Sequence, residues 1–183
     1  MNDAKLALPV FKPKVRQEFL TATSTPLETQ SSINSSSNEE LLPDYSTDSI
    51  DWNKLSSELK NCCDQVVRNE VSMIELGYNS VGSQGAIAIA EALKVNSSVS
   101  GIYLHANSIG NEGAIAIAEA LKVNSSVSRI DLMKNSIGNE GAIAIAEALK
   151  VNSSLKVVFQ CRNSINRQTK KSLESLHKSR VCY

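Results

Sequence analysis

The sequence Gly113-Ala-Ile-Ala-Ile-Ala-Glu-Ala-Leu-Lys-Val-Asn-Ser-Ser126 occurs three times in this chain, with the other copies beginning at Gly85 and Gly141. The copies are 28 residues apart, a spacing typical of proteins built from stacked repeats. In the first copy Ile89 and Leu93 are four residues apart, which places both side chains on one face of a helix. The string therefore predicts one amphipathic helix in each repeat.

Between these helices lie shorter segments that alternate apolar and polar residues. In one of them Ile102 and Leu104 are two residues apart, the period of a strand with one buried face. The equivalent pairs are Ile74 with Leu76 and Ile130 with Leu132. A fourth segment contains Leu155 and Val158, but Gln160 stands where the others have leucine. Each repeat is thus predicted to be a short strand followed by a helix, and the fourth is the weakest.

Asparagines recur after each predicted strand, at Asn79, Asn107, Asn135 and Asn163. A buried amide group has two donors and one acceptor, so each is predicted to bond the loop backbones of its own turn and the next. Two other asparagines, Asn111 and Asn139, are each predicted to cap the helix of their own repeat.

A single strand and helix cannot bury their apolar faces, whereas stacked pairs bury them against one another. Parallel strands stack about 4.8 Å apart and helix axes about 8 to 10 Å apart, so the stack is expected to curve. The predicted fold class is therefore α/β: a right-handed β/α solenoid of about four repeats, with parallel strands on its concave face.

The chain is predicted to contain four regions. Residues 1–47 include all four prolines and no sustained periodicity, which indicates a disordered arm. Whether residues 9–20 form a docking motif within that arm stays open. A capping helix is predicted over 48–70 and the repeats over 71–166. Residues 167–183, which are basic, are predicted to form a C-terminal capping helix and tail.

The N-terminal capping helix is predicted from apolar residues at three- and four-residue spacing. Residues 48–49, Asp-Ser, are its candidate N-caps. Its apolar face consists of Trp52, Leu55, Leu59, Cys62 and Val66. A terminal unit of this kind covers the open end of a stacked core, so Trp52 is interpreted as part of the cap.

The overall charge indicates no particular partner. Nineteen basic residues balance nineteen acidic ones, so no net field favours nucleic acid or an anionic membrane. No run approaches the roughly 20 apolar residues of a membrane span, and Asp3, Lys5 and Pro9 interrupt the stretch where a signal peptide would be apolar. We therefore expect a cytoplasmic protein that binds neither nucleic acid nor membrane.

The cysteines show neither a CxxC pair nor the Cys/His spacing of a zinc site; they are Cys62, Cys63, Cys161 and Cys182. Reduced structural thiols are expected, with no metal, no cofactor and no small-molecule substrate. Three of the four Asn-Ser-Ser sequons are copies of the turn after each repeated helix, at Asn96, Asn124 and Asn152. They would accept glycans only in a secreted protein.

The run Leu132-Met-Lys-Asn-Ser-Ile-Gly-Asn-Glu-Gly-Ala-Ile-Ala-Ile-Ala-Glu-Ala-Leu149 resembles the leucine-rich repeats of the ribonuclease-inhibitor-like class. The arrays of nucleotide-binding immune receptors look nearest. The resemblance covers about residues 71–165, and it implies the strand–helix solenoid, with protein binding on the strand face as the family's usual work. Unlike those receptors, the chain has no GxxxxGK[ST] motif, and it has fewer repeats than ribonuclease inhibitor or the Ran GTPase-activating protein.

Two neighbouring repeats, beginning at Val99 and Val127, differ at four of 28 positions. The differing pairs are Gly101 and Arg129, Tyr103 and Asp131, His105 and Met133, Ala106 and Lys134. All four lie on the predicted free face of the strand or just past it, whereas the helices are copied unchanged. Selection for binding would produce this pattern, and drift after a recent duplication is the alternative.

Every aromatic residue of the repeats lies in these same columns, and aromatic and arginine side chains dominate interface energetics. Tyr103 is expected to be flanked by Glu75 and Asp131, with Arg129 one column away. The alternative is that tyrosine simply suits strands. The predicted protein-binding residues are Glu75, Tyr78, Tyr103, His105, Arg129, Asp131, Met133, Lys134, Phe159 and Arg162.

The preferred function is that of an intracellular interaction or scaffold protein that binds another protein through its strand face. One alternative is a regulator of small GTPases resembling the Ran GTPase-activating protein, and another is a shortened repeat-family copy with no separate activity. The chain is not expected to be an enzyme. His105 with Asp131 is the one pair near an acid–base arrangement, and a shallow open sheet excludes little water.

Overall fold

The computed structural model describes residues 50–159, 161–177 and 181–182. The predicted disordered arm, residues 1–47, lies outside the described residues together with its open docking motif, and so does Gln160. Within the described residues, strands and helices alternate along the chain.

The described part of the chain forms five strands and five α-helices. The strands are β1 (Met73–Glu75), β2 (Gly101–Tyr103), β3 (Arg129–Asp131), β4 (Val157–Phe159) and β5 (Val181–Cys182). The helices are α1 (Ser57–Val67), α2 (Gly82–Val95), α3 (Gly110–Val123), α4 (Asn139–Val151) and α5 (Arg167–His177), with a 3₁₀ helix at Trp52–Lys54. The strands form one parallel sheet in the order β1-β2-β3-β4-β5.

Residues that lie opposite each other in strands β1 to β4 are 28 positions apart, which is the length of the repeat. Ile74 lies opposite Ile102, Ile102 opposite Ile130, and Ile130 opposite Val158, and all four residues are buried. Equivalent residues of successive units therefore form columns across the sheet. The predicted mixed α/β fold with a parallel sheet is confirmed, whereas β5 was not predicted.

The helices pack closely because their facing residues are small. The predicted apolar face of α2 is buried, including Ile89 and Leu93, and α2 packs against both α1 and α3. At Gly113, in the first turn of α3, an added Cβ would overlap the side chain of Ile109 and lie 2.7 Å from the Cβ of Ala86. The packing of α2 on α3 therefore requires glycine at this position.

The predicted asparagine column is present and bonds the turns together. Asn107 Oδ1 accepts hydrogen bonds from the backbone N–H groups of Asn79 at 2.8 Å and Val81 at 3.2 Å. Its Nδ2 donates to the carbonyls of Leu76 at 2.6 Å and Leu104 at 3.0 Å. The same kind of bond recurs one and two units later, at Asn135 and Asn163. Asn107 and Asn135 thus each bond their own turn and the preceding one. The sequence analysis had predicted bonds to the following turn instead of the preceding one.

A second column of buried asparagines lies at the other end of the strands, at Asn96, Asn124 and Asn152. Asn124 Oδ1 accepts from the Val127 N–H at 3.0 Å, and Nδ2 donates to the carbonyls of Leu93 and Asn96 at 2.9 Å each. The sequence indicated only a copied turn with sequons here, not a bonded column. Because these amides are buried and bonded, they are not accessible glycan acceptors in the folded chain.

The prediction that Asn111 and Asn139 cap their own helices is wrong, and α3 has no side-chain cap. Asn111 Oδ1 accepts from the N–H groups of Gly138 at 2.7 Å and Gly141 at 3.3 Å, at the start of α4. Asn139 Oδ1 likewise accepts from the Asn166 N–H at 3.0 Å, just before α5. Because each asparagine already lies inside the first turn of its helix, its side chain reaches the next unit instead.

The N-terminal helix α1 begins later than predicted. Ser56 is its N-cap, with Oγ accepting from the Leu59 N–H at 3.2 Å, while the candidate caps at 48–49 lie outside the described residues. Cys63, rather than the predicted Cys62, is the buried cysteine of this helix. Burial raises the pKa of the Cys63 thiol to about 12, so the thiol stays protonated and serves as a small apolar side chain.

Asn135→Ala is expected to destabilise the fold by about 3 kcal/mol, because the backbone groups bonded by this fully buried amide lose their partners. Asn79→Ala is the matched control from the same column. Asn79 is exposed, and its Nδ2 donates to the Gly77 carbonyl, so its loss is expected to be under about 1 kcal/mol. Urea unfolding followed by circular dichroism measures both, and equal losses would contradict the structural role of the column.

Asn111→Ala is expected to weaken the start of α4, not of α3, by about 1 kcal/mol, because the cap it removes belongs to the next unit. Hydrogen exchange resolved by residue measures this directly. The expected result is faster exchange at the Gly138 and Gly141 amides with little change at Gly113. Faster exchange confined to α3 would support the original prediction of a cap within one unit.

Candidate functional site

One face of the sheet carries the residues that flank the buried centre of each strand. We call it the free sheet face. Its first two columns are Met73, Gly101, Arg129 and Val157, then Glu75, Tyr103, Asp131 and Phe159. Two more columns follow where the strands end: Gly77, His105, Met133 and Cys161, then Tyr78, Ala106, Lys134 and Arg162. All ten sequence-predicted site residues lie in these four columns.

The last column has a left-handed backbone in every unit. Its φ values are 61° at Tyr78, 57° at Ala106, 54° at Lys134 and 61° at Arg162. This conformation is uncommon in residues other than glycine, but its recurrence shows that the turn imposes it, whichever side chain is present. The turn therefore fixes the direction in which the Tyr78 side chain leaves the backbone, and Tyr78 is 70% exposed.

Tyr103 lies across the backbone of the first column. A Cβ added at Gly101 would be 3.3 Å from Cε2 of the Tyr103 ring, so glycine leaves the space that the ring borders. Arg129 Nη1 donates a hydrogen bond of 3.4 Å to the Tyr103 hydroxyl from the next strand. Two residues that differ between neighbouring repeats therefore contact one another in the folded chain.

His105 is a half-buried polar side chain of the patch. Its ring meets that of Tyr78 edge-on, with centroids 5.0 Å apart and planes at 85°. Its Nδ1 is buried, with no hydrogen-bond partner among the described residues, and lies 3.6 Å from Asp131 Oδ2. That distance is too long for a hydrogen bond but short for a charge contact when the imidazole is protonated. A Cβ at Gly77 would overlap the imidazole, so His105 requires glycine beside it.

The two carboxylates of the patch are held differently. Asp131 Oδ1 accepts from the Met133 N–H at 2.9 Å, and only 18% of the side chain is exposed. Glu75 is exposed and forms no ion pair with any described residue. Glu75 and three of its neighbours, Gly77, Tyr103 and His105, line a pit between β1 and β2.

The structure brings together six of the ten predicted residues: Glu75, Tyr78, Tyr103, His105, Arg129 and Asp131. Met133 adjoins them through its backbone, while Lys134 and Arg162 lie exposed in the turns. Phe159 is opposite Asp131 in the register. Sequence reasoning missed Gly77 as part of the site and read Gly101 only as a point of difference. The available signal was a glycine in a column that carries side chains in the other units.

The patch holds no arrangement typical of a catalytic centre. His105 and Asp131 are brought together as predicted, but Cys161, the nearest thiol in the same column, lies two strands further on, roughly 10 Å away at the usual strand spacing. Among the described residues, no group of three or more histidine, cysteine, aspartate or glutamate side chains could hold a metal ion. No helix within the described ranges has both the length and the apolar character needed to cross a bilayer.

Comparison with known proteins agrees with the repeat pattern and the parallel sheet. The family pattern described as leucine-rich repeat matches residues 123–146, which include the end of α3, β3 and most of α4. This segment of the chain is therefore similar to a leucine-rich repeat. A search of curated protein sequences gave no match.

Two solved structures have a similar fold. One is leiomodin-1 actin-binding site 2, with a TM-score of 0.64 and 22% identity over 70% of this chain and 82% of that one. The other is the tropomodulin C-terminal domain of Caenorhabditis elegans, with a TM-score of 0.57 and 12% identity over 68% of this chain and 81% of that one. At these identities the similarity concerns the fold alone.

Gly77→Ala is expected to cost about 1 to 2 kcal/mol of stability, because the new methyl group displaces the His105 ring from its position beside the backbone. In a His105→Ala background the same substitution is expected to cost little. Urea unfolding of the two single variants and the double variant gives the coupling. An equal cost of Gly77→Ala in both backgrounds would show that the two residues do not share this space.

Proposed function

We propose that this chain is a protein-interaction module whose partner binds the free sheet face around Tyr103, His105, Arg129 and Asp131. The observation that carries the proposal is the location of the sequence differences between the two most similar repeats. Four of 28 positions change between them, and three of the changed pairs supply these contacting side chains. Variation of the exposed patch on an otherwise copied scaffold is what selection for a binding surface produces.

The chemistry of the patch supports the same reading. Tyrosine and arginine contribute more to interface energies than other residues do, because they bury large areas and also form hydrogen bonds. Tyr103 and Arg129 are already bonded to each other, and Tyr78 packs edge-on against His105. Because these contacts already restrict the side chains, fewer rotamers are lost on binding. The entropic cost of association is therefore smaller.

We infer a right-handed solenoid of about four repeats of the ribonuclease-inhibitor-like class, with repeats most like those of nucleotide-binding immune receptors. The division into residues 48–70, 71–166 and 167–183 as cap, repeats and cap belongs to this proposal. We also propose that the chain acts as a cytoplasmic scaffold protein. In this proposal it has no enzymatic activity and binds no nucleic acid, membrane or small molecule.

Actin is the first partner to test, because leiomodin-1 actin-binding site 2 has a similar fold. A regulator of small GTPases and a repeat copy without separate activity stay as alternatives. Stimulated GTP hydrolysis by purified small GTPases, with the chain added, would favour the first alternative. If the native chain captures no protein at all, the second alternative would be favoured.

Tyr103→Ala combined with Arg129→Glu is expected to weaken binding of the principal partner at least about tenfold, since it removes an aromatic anchor and reverses a charge. The immobilised chain is tested against purified monomeric actin and against extract of the native cells, with bound proteins quantified by mass spectrometry. Glu119→Ala with Lys122→Ala, which breaks an exposed ion pair on α3, is the matched control. Undiminished capture by the first variant would place the binding site elsewhere.

A further inference from the structure

The pit between β1 and β2 combines aromatic and acidic side chains. Its lining is Glu75, Gly77, Tyr103 and His105, and Tyr78 and Asp131 lie at its rim through their contacts with His105. We call these six residues the tyrosine–carboxylate pit. The first unit has glycine where the third has Met133 and the fourth has Cys161, and the His105 ring packs against that glycine.

The charges of the tyrosine–carboxylate pit favour a cation. Two carboxylates, those of Glu75 and Asp131, belong to it, and the Arg129 guanidinium is bonded to the Tyr103 hydroxyl. Glu75 forms no ion pair with a described residue, a property that it shares with Glu70 and Glu112. Glu75 is thus an exposed carboxylate without a counterion in the described chain.

The aromatic rings of the tyrosine–carboxylate pit are suited to the same ligand. A cationic group is attracted to the face of an aromatic ring, and the attraction grows when the cation is partly removed from water. Tyr103 lines the pit and Tyr78 stands 70% exposed at its edge, held there by the left-handed turn. Two tyrosines and two carboxylates lie in or beside this shallow depression, where they can contact a guanidinium or ammonium group.

We propose that the tyrosine–carboxylate pit receives a basic side chain, lysine or arginine, from the protein partner. The inference rests on the proposed function and specifies the chemistry of one contact within it. Glu75 supplies the charge contact, Tyr103 and Tyr78 supply aromatic contacts, and Asp131 adds a second negative charge beside His105.

The first test uses N-acetyl-arginine amide as the probe, titrated into the full ¹⁵N-labelled chain and followed by NMR. N-acetyl-citrulline amide, which has nearly the same shape and no charge, is the matched control probe. The expected result is a saturable shift of the Glu75, Gly77 and Tyr103 amides with the arginine probe and a much smaller one with citrulline. Equal shifts with both probes, or shifts scattered over the surface, would overturn the proposal.

Glu75→Gln is expected to weaken binding of the arginine probe about threefold to fivefold, the size of one exposed charge contact. Glu119→Gln, on α3, removes the same charge away from the pit and is expected to leave the titration unchanged. Both residues are on the surface, so the fold is expected to survive, and the dispersion of the NMR spectrum checks it. Equal affinity in the Glu75→Gln variant and the native chain would contradict the assigned charge contact.

The partner assay separates this inference from the proposed function. If Tyr103→Ala with Arg129→Glu abolishes capture while Glu75→Gln and Glu75→Lys leave it intact, the free sheet face binds the partner but the pit receives no basic side chain. If capture falls in the order native, Glu75→Gln, Glu75→Lys, both the surface and the contact are supported. Glu119→Lys is the charge-reversal control on the helix layer.

Discussion

Hydrogen bonds from asparagine side chains to the backbone of the preceding repeat are the interaction on which the rest of this structure depends. The strands are only two or three residues long, so the sheet ladder alone provides few bonds between neighbouring units. Asn107, Asn135 and Asn163 fill the gap at one end of the strands, and Asn96, Asn124 and Asn152 at the other. Since each amide replaces water on backbone groups that the stack buries, losing one leaves those groups unsatisfied.

The asparagine columns also fix how the residues of the free sheet face are aligned between units. An amide that bonds the N–H of the residue 28 positions earlier admits one register between units, because a shift by one residue would break every bond in the column. Register in turn decides that Tyr103 lies beside Glu75 and Asp131, and that Arg129 reaches the Tyr103 hydroxyl. The site is therefore assembled from three separate repeats by bonds that involve none of its own side chains.

The sequence predicted the repeated strands and helices, but it missed the second asparagine column and the units that Asn111 and Asn139 bond. The spacing of 28 residues was enough to predict the helices, the parallel pairing and the contact of Tyr103 with its neighbours in the columns. It could not decide which helix Asn111 caps, because this residue lies in the first turn of α3 and its side chain also reaches the start of α4. Gly77 gave no positive signal, since its contribution is the absence of a side chain where His105 needs space.

A scaffold held by buried amides and small residues leaves the free sheet face open to change, because substitutions there disturb no bond of the columns. Lys134 and Ala106 occupy the same turn position with the same left-handed φ, and both units keep their bonded asparagine. The exception lies in the pit, where Gly77 and His105 occupy adjoining space and Asp131 accepts from the Met133 backbone. At that place the side chains constrain one another, so residues of the surface have to change together if the pit is to keep its shape. Side chains that constrain one another can make a binding site specific. A scaffold that accepts substitutions on its surface allows that site to diverge from repeat to repeat.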